Sequence, residues 1–143
     1  EFCDATALNT GSPASFLIGD VMDLTTARDM GNGQPLYCVI QVTTAVTSGG
    51  SATVAFEVAS DAAAAIAVDG TQTTHSKSDV IGKASLTAGW TLVLPLPPEG
   101  SVAYERYLGV VQTTATAALT AGAVNAFLTI DPTGWKAVPD ATN

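Results

Sequence analysis

From Trp90 to Leu96 the chain alternates strictly. Leu92, Leu94 and Leu96 fall on one side of an extended backbone, and Thr91, Val93 and Pro95 on the other. A second apolar run, Arg106 to Val111, sets Tyr107, Gly109 and Val111 against Arg106, Leu108 and Val110. The loop between them is rich in Pro, Gly and Ser. This pattern predicts two long antiparallel strands joined across the end of a sheet. Pro95 cannot donate to a ladder, so it marks an edge strand or a strand exit.

The same period recurs along the chain. Phe16 to Leu24 is extended but broken at Gly19-Asp20, as at a bend or bulge. Leu36 to Val46 is the clearest strand. Leu36, Cys38, Ile40 and Val42 share one face, and Tyr37, Val39, Gln41 and Thr43 the other. Both faces begin apolar, so the first half is expected to be covered on both sides. After Ser48-Gly49-Gly50-Ser51, Ala52 to Ser60 points Val54, Phe56 and Val58 inward, a hairpin signal with a long loop. Val80-Ile81 is a short extended piece. Gln112 to Ala118 continues extended after Val111, and Ala123 to Asp131 is a last strand.

Helix signals are scarce. Asp61 to Ala67 has helical propensity and a capping Asp61, but it is too short to stand alone and reads as loop with one turn at most. Gly31-Asn32-Gly33 is a turn, because Gly and Asn tolerate positive φ. The reading is all-β: an antiparallel sandwich or barrel of about eight strands with little or no helix. Periodicity alone does not separate a jelly roll from an immunoglobulin-like sandwich. The domain division is an N-terminal arm, 1–15, ending at Gly11-Ser12-Pro13, one domain, 16–136, and a tail, 137–143. Phe2 and Leu8 are the arm's apolar points, expected to anchor on a neighbour if anything orders it.

Charged residues make up only 13% of the chain while apolar ones reach 47%. An ordinary soluble domain carries about 25% charged residues. The surface must therefore rest on Thr, Ser, Gly, Asn and Gln, which suits wide protein–protein contact. The net charge is −8, and the five basic residues are scattered. That disfavours nucleic acid, which needs a basic footprint, and an anionic membrane surface. No apolar run approaches the roughly 18 residues of a membrane span. Residues 1–10 have neither the basic nor the apolar region of a signal peptide. Two cysteines far apart make no disulfide framework. Cys38 reads as a small core residue, and Cys3 as either exposed or packed.

Catalytic and metal chemistry finds little to stand on. His75 has no His or paired Cys beside it and reads as an exposed loop histidine. No G-x-S-x-G elbow occurs. Asp20, Asp23 and Asp29 lack calcium-loop spacing and read as a solvated acidic edge. Gly31-Asn32-Gly33 lacks the third glycine and the helix of a phosphate loop. No cofactor or metal is expected. Arg106 sits in an apolar strand and needs a carboxylate. Glu105 points to the opposite face, so Asp29 or another distant acid is the better partner. The alternative is an arginine snorkelling at the sheet edge. Trp90 and Trp135 are large aromatics that fit either a core or an interface.

Three segments together carry a resemblance. Leu94-Pro95-Leu96-Pro97-Pro98 is followed by Glu105-Arg106-Tyr107-Leu108. Asp23-Leu24 precedes Ala27-Arg28-Asp29-Met30-Gly31-Asn32-Gly33-Gln34-Pro35-Leu36-Tyr37. Leu119 to Val124 and Ala126 to Thr129 precede Trp135. In order and spacing the chain resembles the small capsid cement (decoration) proteins of tailed bacteriophages. The segment from Ala62 to Val80 departs from that pattern, being longer and less regular.

The resemblance implies a jelly roll without catalysis. It would bind the major capsid protein on the outer capsid surface of the virion, as a homotrimer, after assembly in the host cytoplasm. Interface candidates are Phe2, Leu8, Arg28, Asp29, Trp90, Arg106 and Trp135. The rival classes are a carbohydrate- or receptor-binding β-module on a virion fibre and a hydrolase on a β scaffold. The first needs a groove with several exposed aromatics. The second needs a catalytic constellation that the sequence does not show.

Overall fold

A computed structural model of the protein describes residues 1–30, 33–98 and 103–133. The strands are β1 (Cys3–Ala7), β2 (Ser15–Asp23), β3 (Leu36–Thr47), β4 (Thr53–Asp61), β5 (Thr73–Lys77), β6 (Ile81–Gly82), β7 (Thr91–Leu96), β8 (Tyr107–Ala115) and β9 (Ala121–Thr129). One sheet has the order β1-β9-β3-β7, and the other β2-β8-β4-β5 with β6 also on β4. Every pairing is antiparallel. Successive strands mostly switch sheets, and the first and last strands lie side by side. This is the strand order of a jelly-roll sandwich. A 3-10 turn, Lys83–Ser85, stands before β7.

Alternation identifies the inner faces. Cys38, Ile40 and Val42 of β3, Leu94 and Leu96 of β7, Val54, Phe56 and Val58 of β4, and Leu108 and Val110 of β8 fill one core between the sheets. Each is buried because period 2 sends every second side chain into the interlayer gap. Cys3 and Cys38 are both buried and free. Burial pushes the Cys3 thiol up to about 11 and the Cys38 thiol up to about 12, so both act as small apolar residues.

Pairing partners are where the expectation fails. β7 and β8 do not form a hairpin: β7 pairs β3 in one sheet, and β8 pairs β2 and β4 in the other. β3 and β4 also lie in different sheets. In a jelly roll the connections arch over the sandwich, and alternation reports which face is buried, not which neighbour is bonded.

The arm is also corrected. Residues 3–7 form the first strand of the sandwich, paired with β9. Phe2 and Leu8 are 1% and 2% exposed, in the common core. Phe2 N–H donates to the Ala126 carbonyl at 2.7 Å, and the Phe2 carbonyl accepts from Asp20 N–H at 2.7 Å. The bulge at Gly19 permits this passage. Its φ is +68°, and a Cβ there would stand 2.3 Å from the Phe2 oxygen.

Two further features bear on the site. Asp61–Ala67 is loop, as its sequence reads, and makes no helical turn: the Asp61 carboxylate accepts from Ala63 and Ala67 N–H and ties it. That loop lays Ile66 over Gly109, Val111, Leu17 and Val21 on the outer side of the second sheet. His75 lies on β5, not in an exposed loop.

Candidate functional site

The outward side of the first sheet is built by cross-strand register. Tyr37 of β3 stands between Pro95 of β7 and Thr129 of β9, Val39 between Val93 and Phe127, and Gln41 between Thr91 and Asn125. These nine side chains form three lateral rows, and none carries a charge. Val39 at the centre is fully buried by its neighbours alone, while Val93 is 38% exposed. The third row holds unspent hydrogen-bonding capacity: Gln41 Nε2 and Thr91 Oγ1 are buried with no partner among the described residues. An unpaired buried amide costs about 1–3 kcal/mol, a cost that any group reaching this row with an acceptor would offset.

Where β3 begins and β7 ends, this surface opens into an apolar pocket of about 300 Å³. Pro35, Tyr37, Pro95, Pro97 and Pro98 line it, with Leu36 and Leu96. Proline in a strand interior would break a ladder, but β7 is the terminal strand of its sheet, so Pro95 is tolerated there. The ring-rich walls are stiff and lose little conformational freedom when something packs on them.

Behind the pocket the wall is held by a polar cluster. The Tyr104 hydroxyl donates to the Pro97 carbonyl at 2.7 Å. The His75 ring stacks on Tyr104 with centroids 3.7 Å apart and planes 10° from parallel. Ser60 Oγ lies 2.7 Å from His75 Nε2 and accepts from Glu105 N–H at 3.0 Å. Glu105 in turn accepts from the Thr73 hydroxyl at 2.7 Å. Burial, and then the charge of Asp29, pushes the Tyr104 phenol up to about 12. Burial lowers the His75 pKa, against a raising influence from Glu105. Ser60 has no solvent exposure, so its contact with His75 is no nucleophile–base pair open to substrate.

Arg106 immediately precedes β8. It makes a bidentate pair with Asp23 at 2.9 and 2.8 Å, not with Asp29, and its guanidinium lies 4.9 Å from the Tyr107 ring centre. The same carboxylate accepts from Thr25 N–H at 2.7 Å, where the chain turns at φ +68°. Arg106 hydrogen bonds and the Thr25 amide hold the Asp23 carboxyl down to about 2, and Asp23 raises Arg106 in return. The pair pins the exit of β2 to the start of β8. It is an exposed strut, because both side chains are more than 40% accessible (47% and 42%).

The interface candidates therefore scatter. Phe2 and Leu8 are withdrawn into the core. Arg28 is exposed and Asp29 half-buried in the connector after β2. Trp90 is half-buried and packs on the core. Trp135 and the Gly31-Asn32 turn lie outside the described residues. The sequence reading missed the grid and pocket, although Pro35-Leu36-Tyr37 and Leu94 to Pro98 were already its most distinctive segments. They belong to adjacent strands, which only the register reveals. Among the described residues no group of three or more His, Cys, Asp or Glu could hold a metal ion. Among them, too, no helix is long and apolar enough to cross a membrane.

No curated protein matches the chain. A family model described as Bbp16 matches residues 2–128. The match starts at the residue that seats β1 and ends within β9, so it covers nearly the whole sandwich, and the chain belongs to the Bbp16 family.

Proposed function

We propose that this chain is a non-enzymatic virion structural protein that coats the outer surface of a tailed-phage capsid, binds the major capsid protein and stabilises the shell. One observation carries the reading. Pro35-Leu36-Tyr37 and Leu94 to Pro98, from two of the segments that resemble capsid cement proteins, meet in space to build the pocket and the uncharged grid beside it. An uncharged, half-apolar surface on a rigid sheet costs little to desolvate and little to order, which suits a broad protein contact.

A protein that binds only the assembled shell stabilises it by mass action. Repetition over a symmetric lattice, with copies gathered as homotrimers, raises modest single contacts to high avidity. The acidic balance of −8 fits a partner that is neither nucleic acid nor an anionic membrane. The place of action in this reading is the outside of the virion, assembled in the host cytoplasm.

The test is reconstitution. Capsids lacking the protein are mixed with the purified chain and imaged by cryo-electron microscopy. Ordered density is expected on the outer shell, with the Tyr37–Pro95 side against the capsid, and Tyr37→Lys should abolish it. No bound density, or docking through the opposite sheet with Tyr37→Lys unaffected, would overturn the reading.

A further inference from the structure

His75 occupies an irregular place in its strand. Val58 of β4 pairs Ser76 and Ala59 pairs Thr74, so His75 is the extra residue of a bulge. A bulge re-aims one side chain out of the regular alternation. Here it turns the imidazole onto Tyr104 and Ser60. Nε2 meets Ser60 Oγ, while Nδ1 is buried with no partner among the described residues. The neutral ring fits this with its proton on Nε2, which donates to Ser60 Oγ and leaves Nδ1 a bare lone pair.

The protonated ring carries a second N–H donor, at Nδ1, and no acceptor among the described residues is set to receive it. Ser60 Oγ, which also accepts Glu105 N–H, serves Nε2 alone. Nδ1–H has nothing. The surrounding charges offer one remedy. Among the described residues β7 carries no titratable side chain. Asp61 of β4 is occupied by the Ala63 and Ala67 amides. Glu57 of β4 is bound to Lys77 of β5 and to Gln72. Glu105 remains, and to reach the imidazolium it must leave the Thr73 hydroxyl. The face of Tyr104 attracts a cation, which works the other way. It does not supply the missing acceptor, and charging a half-buried ring unpaired is the larger cost.

We propose that His75 is a proton-operated latch: neutral, it clamps Ser60, Tyr104 and Glu105, and protonated, it releases residues 103–105 and with them the Tyr104–Pro97 bond at the pocket wall. The sign follows from the preferred form. The fold holds the ring neutral, so the unfolded chain takes the proton more readily. The clamp's contribution is whole above the ordinary histidine value of 6.5 and is lost as pH falls below it through the folded value. This device stands apart from capsid binding, and its readout needs no partner.

The test is amide hydrogen exchange by NMR, corrected for intrinsic rates, on the wild type and His75→Phe, whose ring can stack but not titrate. Between pH 7.5 and 5.0 the wild-type Glu105 amide should lose protection by roughly tenfold, the scale of one hydrogen bond. Ile40 and Val110 should keep theirs, and His75→Phe should show no pH step at Glu105. Should that variant fail to fold, the wild type decides alone: the midpoint of the Glu105 change must coincide with the ring titration of His75, below 6.5. An unchanged Glu105 amide, an equal loss in His75→Phe, or a ring that titrates at or above the ordinary value would each overturn the latch.

Discussion

The two outer faces of the sandwich are treated in opposite ways. On the second sheet the face is closed by the chain itself. Ile66 drops from the 62–72 loop onto Gly109 and Val111, and Gln72 and Lys77 satisfy the buried carboxylate of Glu57. On the first sheet, among the described residues, no such cover lies over Val93 and Pro95, and buried polar atoms at Gln41 and Thr91 stay unpaired. Among the described residues the fold spends a loop on one apolar face and none on the other, so the second sheet is covered where the first is open. The same strand alternation underlies both, so the difference lies in the connections.

Substitutions on the two faces test this contrast. The shared core sets the scale. Phe2→Ala should cost about 3–5 kcal/mol in urea unfolding, the range for a buried phenylalanine. A cost below about 1 kcal/mol, as for surface sites, would return Phe2 to a loose arm. Ile66→Ala comes next. It should cost about 2 kcal/mol, the low end for a buried isoleucine because a loop can settle. It should also raise binding of a hydrophobic dye by uncovering Leu17, Val21 and Val111. If the dye signal stays flat, the second face was never sealed by Ile66.

Val93→Ser, on the open face, should change stability by about 0.5 kcal/mol or less while weakening self-association or capsid binding. A core-sized loss would mean that this face is already closed. The smallest effect concerns Asp23. Its folded pKa lies below the usual 3.8, so its contribution is present above that value and fades as pH falls through about 2. Comparing wild type with Asp23→Asn in acid titrations of stability should show a small divergence confined to pH 2–4. A divergence near neutrality would assign the pair another role.

Much of the architecture was legible in single strands. Pro95 announced an edge, Gly19-Asp20 a bulge, and Val54-Phe56-Val58 an inner face, because each depends on local stereochemistry. β1 was not legible. Its five residues hold one inward apolar side chain, and Ala5 at φ 44° interrupts the alternation. The anchoring Phe2 and Leu8 sit just outside the strand. β5 was hidden for a related reason: Thr73–Lys77 is wholly polar and its bulge destroys the period. The polar surroundings of His75 in sequence likewise gave no hint of its half-buried stack on Tyr104, a residue 29 positions away in the chain. Arg106 showed its need for a carboxylate, while the choice of Asp23 over Asp29 was settled by the pairing of β2 with β8.

The neighbourhood of β1 and β9 has a consequence in time. Cys3 reaches Val124 across 121 positions of sequence. No local hairpin can complete the first sheet, so an early strand must wait for a late one. During synthesis Phe2 and Leu8 emerge well before β9, the strand on which β1 is seated. Folding dominated by such distant pairings is slow, on the order of milliseconds to seconds for comparable all-β domains. The sandwich should therefore close in one late, cooperative step, with its two outermost segments acting as the clasp.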